Sequence, residues 1–186
     1  MRPTRSIPTL PGVTARDVAT PRVRTALLET GPEDGVPVLF VHGNASCATF
    51  WEETMLALPP ELRGIAPDLR GYGDTEDLVI DATRGLGDWV DDLLGLLDAL
   101  GLSSGVHLVG HSLGGAVAFG LVAARPAAFR TVTLVAPGSP YGFGGSKGLD
   151  GVPCWPDAAG SGAGVVNAEF ARRIGIGDRS SDDPQA

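Results

Sequence analysis

Ser112 stands in the run Gly110-His111-Ser112-Leu113-Gly114-Gly115, directly after the apolar stretch Val106-His107-Leu108-Val109 and directly before Ala116-Val117-Ala118-Phe119. This is a G-x-S-x-G pattern at a strand-to-helix junction. Such a turn is sharp, so it pushes one side chain out at the carboxyl end of a sheet. Gly110 and Gly114 flank it because larger side chains would collide as the backbone doubles back. The helix N-terminus that follows favours developing negative charge. The chemistry this implies is nucleophilic attack by a serine hydroxyl. The bare pattern is weak in a chain with 27 glycines, and Gly144-Gly145-Ser146-Lys147-Gly148 also satisfies it. No apolar strand precedes Ser146 and no helical pattern follows it, so it reads as a loop serine.

Two further clusters follow apolar runs. His42-Gly43-Asn44 ends Val36–Val41, and Asp68-Leu69-Arg70-Gly71-Tyr72-Gly73 follows the short strand candidate Gly64–Pro67. Ligands of open α/β sheets bind outside the carboxyl ends of the strands. Gly43 lets its loop come close, and Asn44 either offers its side-chain amide to substrate or simply forms the turn. Asp68 and Arg70 are expected to tie down their loop, by pairing with each other or by capping a helix.

The elements that must hold these residues read as an alternation. Val13–Val18 and Val23–Glu29 suit an opening hairpin, and Gly31–Gly35 a turn. Val36–Val41 has the continuous apolar character of a strand buried on both faces. Helical spacing covers Phe50–Leu58. It recurs in Leu86, Trp89, Val90, Leu93, Leu97 and Leu100, with Asp88, Asp91, Asp92 and Asp98 expected on a solvated face. Val106–Val109, Leu113–Ala124 and Thr131–Ala136 continue as strand, helix and strand. A mostly parallel sheet with helices on both faces follows. Residues 1–137 form this α/β core. Residues 138–186, rich in Gly, Pro, Ser and Asp, read as a partial lid or a disordered tail.

At 186 residues with 43% hydrophobic content, one core is expected. A net charge of −8, from 14 basic and 22 acidic residues, argues against nucleic acid and anionic membrane as partners. Cys47 and Cys154 lack metal or redox spacing and read as free thiols. The N-terminus lacks the apolar core of a secretory signal, and Leu113–Ala124 is too short to span a bilayer, so a cytoplasmic location is expected. No metal, nucleotide or flavin motif occurs, and no cofactor is expected. The expected partner is a small-molecule substrate.

Taken in order, His42-Gly43-Asn44, Asp68-Leu69-Arg70-Gly71-Tyr72-Gly73, Gly110-His111-Ser112-Leu113-Gly114-Gly115 and the strand Thr131–Ala136 resemble the α/β-hydrolase fold of the single-domain esterase, haloperoxidase and C–C hydrolase type. The resemblance covers roughly residues 23–137. It implies that Ser112 is the nucleophile and that the backbone N–H groups of Asn44 and Leu113 form an oxyanion hole. His42, Gly43, Gly110 and Gly114 become supporting turn residues. Fixed N–H donors of this kind stabilise the charge that acyl transfer builds on a carbonyl oxygen. Asn44 is similar to a residue of haloalkane dehalogenases, whose nucleophile is Asp. Ser112 instead favours ester-type substrates over halides or epoxides.

A serine hydroxyl needs a base, and in this fold the order is Ser, then Asp or Glu, then His. The chain has 3 histidines, His42, His107 and His111, and none follows Ser112. His42 is expected to brace its turn, His107 lies inside a strand, and the elbow should aim His111 away from Ser112. Asp150, Asp157 and Glu169 lie in the lid-like stretch and are poor candidates for the acid. The expectation is a truncated serine hydrolase, inactive as this chain alone, with an incomplete sheet prone to self-association. A non-catalytic α/β-hydrolase-like binding or scaffold protein is the alternative.

Overall fold

The chain runs as a hairpin and then as repeated strand–helix units, described by a computed structural model for residues 8–138 and Val152. Ser146, Cys154 and the candidate lid residues from Ser139 onward, Val152 apart, lie outside the described residues. The strands are β1 (Thr14–Ala19), β2 (Arg24–Thr30), β3 (Val36–Val41), β4 (Leu62–Pro67), β5 (Val106–His111) and β6 (Phe129–Val135). The helices are α1 (Glu52–Leu56), α2 (Gly87–Ala99) and α3 (Leu113–Ala124). One sheet holds all six strands in the order β1-β2-β4-β3-β5-β6. β1 pairs β2 and β2 pairs β4 antiparallel. β4, β3, β5 and β6 run parallel, so their carboxyl ends share one edge.

β3 shows why its sequence is apolar without interruption. Val38 and Phe40 face one core cluster, with Ala48, Trp51 and Met55. Leu39 and Val41 face the other, with Val90, Leu93, Leu97, Val117 and Leu121 of α2 and α3. Both faces are therefore buried. Fully burying a Leu or Val side chain stabilises by about 1.5–3 kcal/mol, and Leu39, Val41, Leu97, Leu108 and Val117 are all at 0% exposure. α3 approaches α2 through Gly120, where a Cβ would lie 2.6 Å from Val90 Cγ2.

Three expectations change. The helix expected over Phe50–Leu58 is a 3-10 turn, Ala48–Trp51, followed by the short α1. β6 begins at Phe129, two residues early, because its ladder with β5 starts at Val106↔Phe129. The acids of α2 do not all face solvent: Asp88 and Asp92 are each 5% exposed. Arg22 bonds Asp92 through Nε at 2.9 Å and Asp88 through Nη2 at 3.3 Å, and Arg70 and Arg84 complete the network. Buried carboxylates survive where opposite charge meets them. Alternation of type alone cannot reveal arginines supplied from loops far away in sequence. Asp98 does remain largely exposed, and Asp91 is half-buried.

Candidate active site

Ser112 occupies the single residue between β5 and α3, at φ 52 and ψ −114. This backbone lies outside the regions open to a residue with a Cβ, and such strain costs about 1–3 kcal/mol. The surroundings hold it there. The Ser112 N–H donates to Val135 O at 3.1 Å. Its carbonyl accepts from Gly115 N–H at 3.0 Å, Ala116 N–H at 3.2 Å and Gly138 N–H at 2.8 Å. The end of β6 and the first turn of α3 thus clamp the elbow from two sides. A Cβ at Gly110 would lie 2.5 Å from Gly114 O, and one at Gly114 would overlap Val41 O and lie 2.5 Å from His42 O. Glycine is required at both places by backbone on the opposing side. Leu113 N–H opens α3 and belongs to the first four donors, which a helix leaves without an internal partner.

Gly43 brings the second loop against the elbow: its Cβ would lie 3.2 Å from Ser112 Cβ and 2.8 Å from His111 Nδ1. The loop conformation rests on His42, which is 0% exposed. Its Nδ1 lies 2.8 Å from Gly43 O and its Nε2 accepts from Leu69 N–H at 3.0 Å. An Nε2 that accepts leaves the proton of the neutral ring on Nδ1, which donates to Gly43 O. Burial pushes the His42 pKa below the ordinary value, against opposing pulls from Gly43 and Asp68. Both ring nitrogens are occupied by backbone, so His42 is committed to holding the loop. Asn44, next along, is exposed.

Asp68 and Arg70 do tie down the loop after β4, not by pairing with each other: Asp68 follows the capping alternative, and Arg70 reaches α2. Asp68 Oδ1 accepts from Ala48 N–H at 2.7 Å, capping the 3-10 turn from across the sheet, and Oδ2 accepts from Asp74 N–H at 2.9 Å. Arg70 forms a two-pronged bond to Asp92, Nε to Oδ2 at 2.7 Å and Nη2 to Oδ1 at 2.8 Å. The bond to Asp92 holds the Arg70 pKa above its ordinary value, against burial. A bidentate Arg–carboxylate pair is directional as well as strong, so the β4 loop is fastened to α2.

His107 and His111 lie on the other face of β5. His107 Nδ1 meets Thr131 Oγ1 at 2.7 Å. The His111 ring stacks on Phe50, centroids 4.8 Å apart at 15°, with Trp51 edge-on at 6.5 Å. The contact that sequence reasoning missed is Tyr72 to Asn44, at 2.6 Å. It arises because β3 and β4 are parallel neighbours, so the loops after them share one edge. A cavity of about 400 Å³ lies elsewhere, lined by Thr14, Arg16, Glu29, Thr30 and Arg63. Arg63, the second residue of β4, pairs with Pro37 at the start of β3, so this cavity is at the amino end of the parallel strands. Among the described residues no group of His, Cys, Asp or Glu is arranged to hold a metal ion, and no helix is long and apolar enough to cross a membrane.

The elbow, the loop beside it and the sheet order agree with comparisons to known proteins. The alpha/beta hydrolase family model matches residues 38–185. A 2-hydroxymuconate semialdehyde hydrolase from Pseudomonas sp. (strain CF600) is 34% identical over 140 residues, covering 74% of this chain and 48% of that protein. An epoxide hydrolase from Caballeronia sordidicola is 38% identical over 122 residues, covering 65% of this chain and 36% of that protein. Among solved structures, a haloalkane dehalogenase from Bradyrhizobium elkani superposes with a TM-score of 0.62 at 34% identity, over 68% of this chain and 42% of that one. The chain thus spans about half or less of the length of these relatives. A mixed sheet with a parallel core, a strained residue at the β5–α3 elbow and a family model that matches most of the sequence lead to a single conclusion: the chain belongs to the alpha/beta hydrolase family.

Proposed function

We propose that the chain carries the nucleophile half of a serine hydrolase that acts on an ester or similar acyl substrate. The observation that carries this reading is the Ser112 backbone at φ 52, clamped by Val135, Gly115, Ala116 and Gly138 with its Cβ beside the Gly43 loop. Strain at a polar residue needs an external reason, and presenting a reactive side chain is one. In the proposed reaction Ser112 Oγ bonds to the substrate carbonyl carbon and gives its proton to a base. The carbonyl oxygen takes the charge and is met by the N–H groups of Leu113 and Asn44. The leaving alcohol departs with a proton, and water then frees the acid from the acyl-serine.

The base is the open part of the reaction. His42 has both nitrogens on backbone, His107 is bonded to Thr131, and His111, stacked on Phe50, has an Nδ1 without a hydrogen-bond partner, Ser112 included. We therefore place the base outside these 186 residues. The 186-residue chain is expected to hydrolyse p-nitrophenyl butyrate at the background rate, and added imidazole is expected to raise the rate above that of Ser112→Ala treated identically. Equal rates for the two proteins with imidazole would favour the second reading, a binding protein of the same fold. That reading draws on the same observation, that no histidine hydrogen-bonds Ser112 among the described residues.

A further inference from the structure

We propose that Tyr72 is a positioning residue that fixes the Asn44 carboxamide, capping its oxygen and presenting its two Nδ2 hydrogens to a negatively charged oxygen of a ligand. This rests on reading the His42–Asn44 loop as one side of the ligand site. The Tyr72 hydroxyl lies 2.6 Å from Asn44 Oδ1. That separation suits an O–H donor to an oxygen, whose usual range is about 2.5–3.0 Å, and is short for an N–H donor, which is found at about 2.7–3.2 Å. The hydroxyl therefore donates and the carboxamide oxygen accepts. With the oxygen engaged by Tyr72, the Nδ2 hydrogens are the polar groups the carboxamide has left to offer. Asn44 then adds a side-chain donor beside its own backbone N–H, so the loop favours an electron-rich acceptor.

The ring that places this hydroxyl is held from several sides. It meets His42 edge-on, centroids 5.2 Å apart at 73°, and the Trp89 ring at 6.4 Å. Its backbone N–H donates to Leu69 O at 2.9 Å. Trp89 Nε1–H donates to Arg70 O at 2.9 Å, and Arg70 grips Asp92 with two bonds. A continuous set of contacts therefore runs from α2 through Arg70, Trp89 and Tyr72 to Asn44. The Asp68–Gly73 segment gains a role beyond holding its own turn: it sets the side chain at the tip of the neighbouring loop. Burial raises the Tyr72 pKa, so the phenol stays a donor through neutral pH.

The test is nuclear magnetic relaxation of side-chain amides in the full 186-residue chain. Asn44, Asn167 and Gln185 are its carboxamides, so the spectrum is simple to assign. The Asn44 NH2 group is expected to show an order parameter near that of rigid backbone, about 0.85, and to fall below about 0.6 in Tyr72→Phe. That variant keeps the ring and its packing. Sodium acetate is expected to shift the Asn44 Nδ2 resonances, with affinity at least threefold weaker in Tyr72→Phe. A mobile Asn44 amide in the unsubstituted chain overturns the proposal whatever the variant does. So does an order parameter unchanged by Tyr72→Phe, or acetate that leaves Asn44 unmoved or binds both proteins equally. None of these readouts requires Ser112 to react, so their failure is distinct from failure of the serine hydrolase reading.

Discussion

Replacing Ser112 by glycine should make the protein more stable than replacing it by alanine. Both variants remove the hydroxyl, so any difference between them reports the Cβ alone. At φ 52 and ψ −114 the Cβ is in conflict with its own backbone, at a cost of about 1–3 kcal/mol. Glycine relieves that strain but gives the unfolded chain more freedom, which costs about 0.5–1 kcal/mol. The net gain for Ser112→Gly over Ser112→Ala is about 0.5–2 kcal/mol. A chain of 150–250 residues shifts its melting point by about 2–4 °C per kcal/mol, so glycine should melt about 1–8 °C higher. Urea unfolding followed by circular dichroism gives the free energies, and thermal melts give the second measure. A glycine variant that is no more stable than the alanine variant would refute the claim that the elbow stores strain.

Other perturbations separate backbone crowding, buried charge and protonation. Gly114→Ala drives a Cβ into Val41 O and His42 O, where neither strand nor loop can yield; a loss of about 3 kcal/mol or more is expected by urea unfolding. Gly95→Ala meets only Thr20 at 3.9 Å in the middle of α2 and should gain about 0.5–1 kcal/mol in the same assay. Asp92→Ala strands the buried Arg70 guanidinium and should cost about 3–5 kcal/mol, whereas Asp98→Ala, whose side chain is 59% exposed, should cost less than about 1 kcal/mol. The His42 pKa is lowered in the folded chain, so the neutral ring contributes stability above the unfolded value of about 6.5 that is lost as pH falls toward the folded value. Unfolding free energies from pH 8 to pH 5 should therefore fall more steeply for the unsubstituted chain than for His42→Asn; parallel curves would show that His42 protonation is not coupled to folding.

Much of this architecture was legible because local chemistry and global topology agree. The run Val36–Val41 has no polar position because β3 is buried on both faces, and the elbow glycines are there because Gly110 and Gly114 face backbone across the turn. The places that misled are those where a partner arrives from far along the chain. Asp88 and Asp92 carry the spacing of a wet helix face, and only Arg22 and Arg70 brought over by the fold make them buried anchors. Asp68 and Arg70 left pairing and capping open: Asp68 does cap the turn at Ala48, but the Asp92 partner of Arg70 on α2 was not visible in the spacing. The Tyr72–Asn44 contact needed the β4-β3 adjacency, which strand patterns alone do not fix.

A nucleophile set at a strained elbow should take an acyl group, and on Ser112 that group can be trapped. The 186-residue chain would be incubated with p-nitrophenyl acetate and imidazole, quenched in acid, digested and mapped by peptide mass spectrometry. The account predicts an acetyl group on Ser112, absent in Ser112→Ala, with Ser146 unmodified. Acetylation of Ser146 instead, or none on Ser112 above the level of other exposed serines, would contradict it.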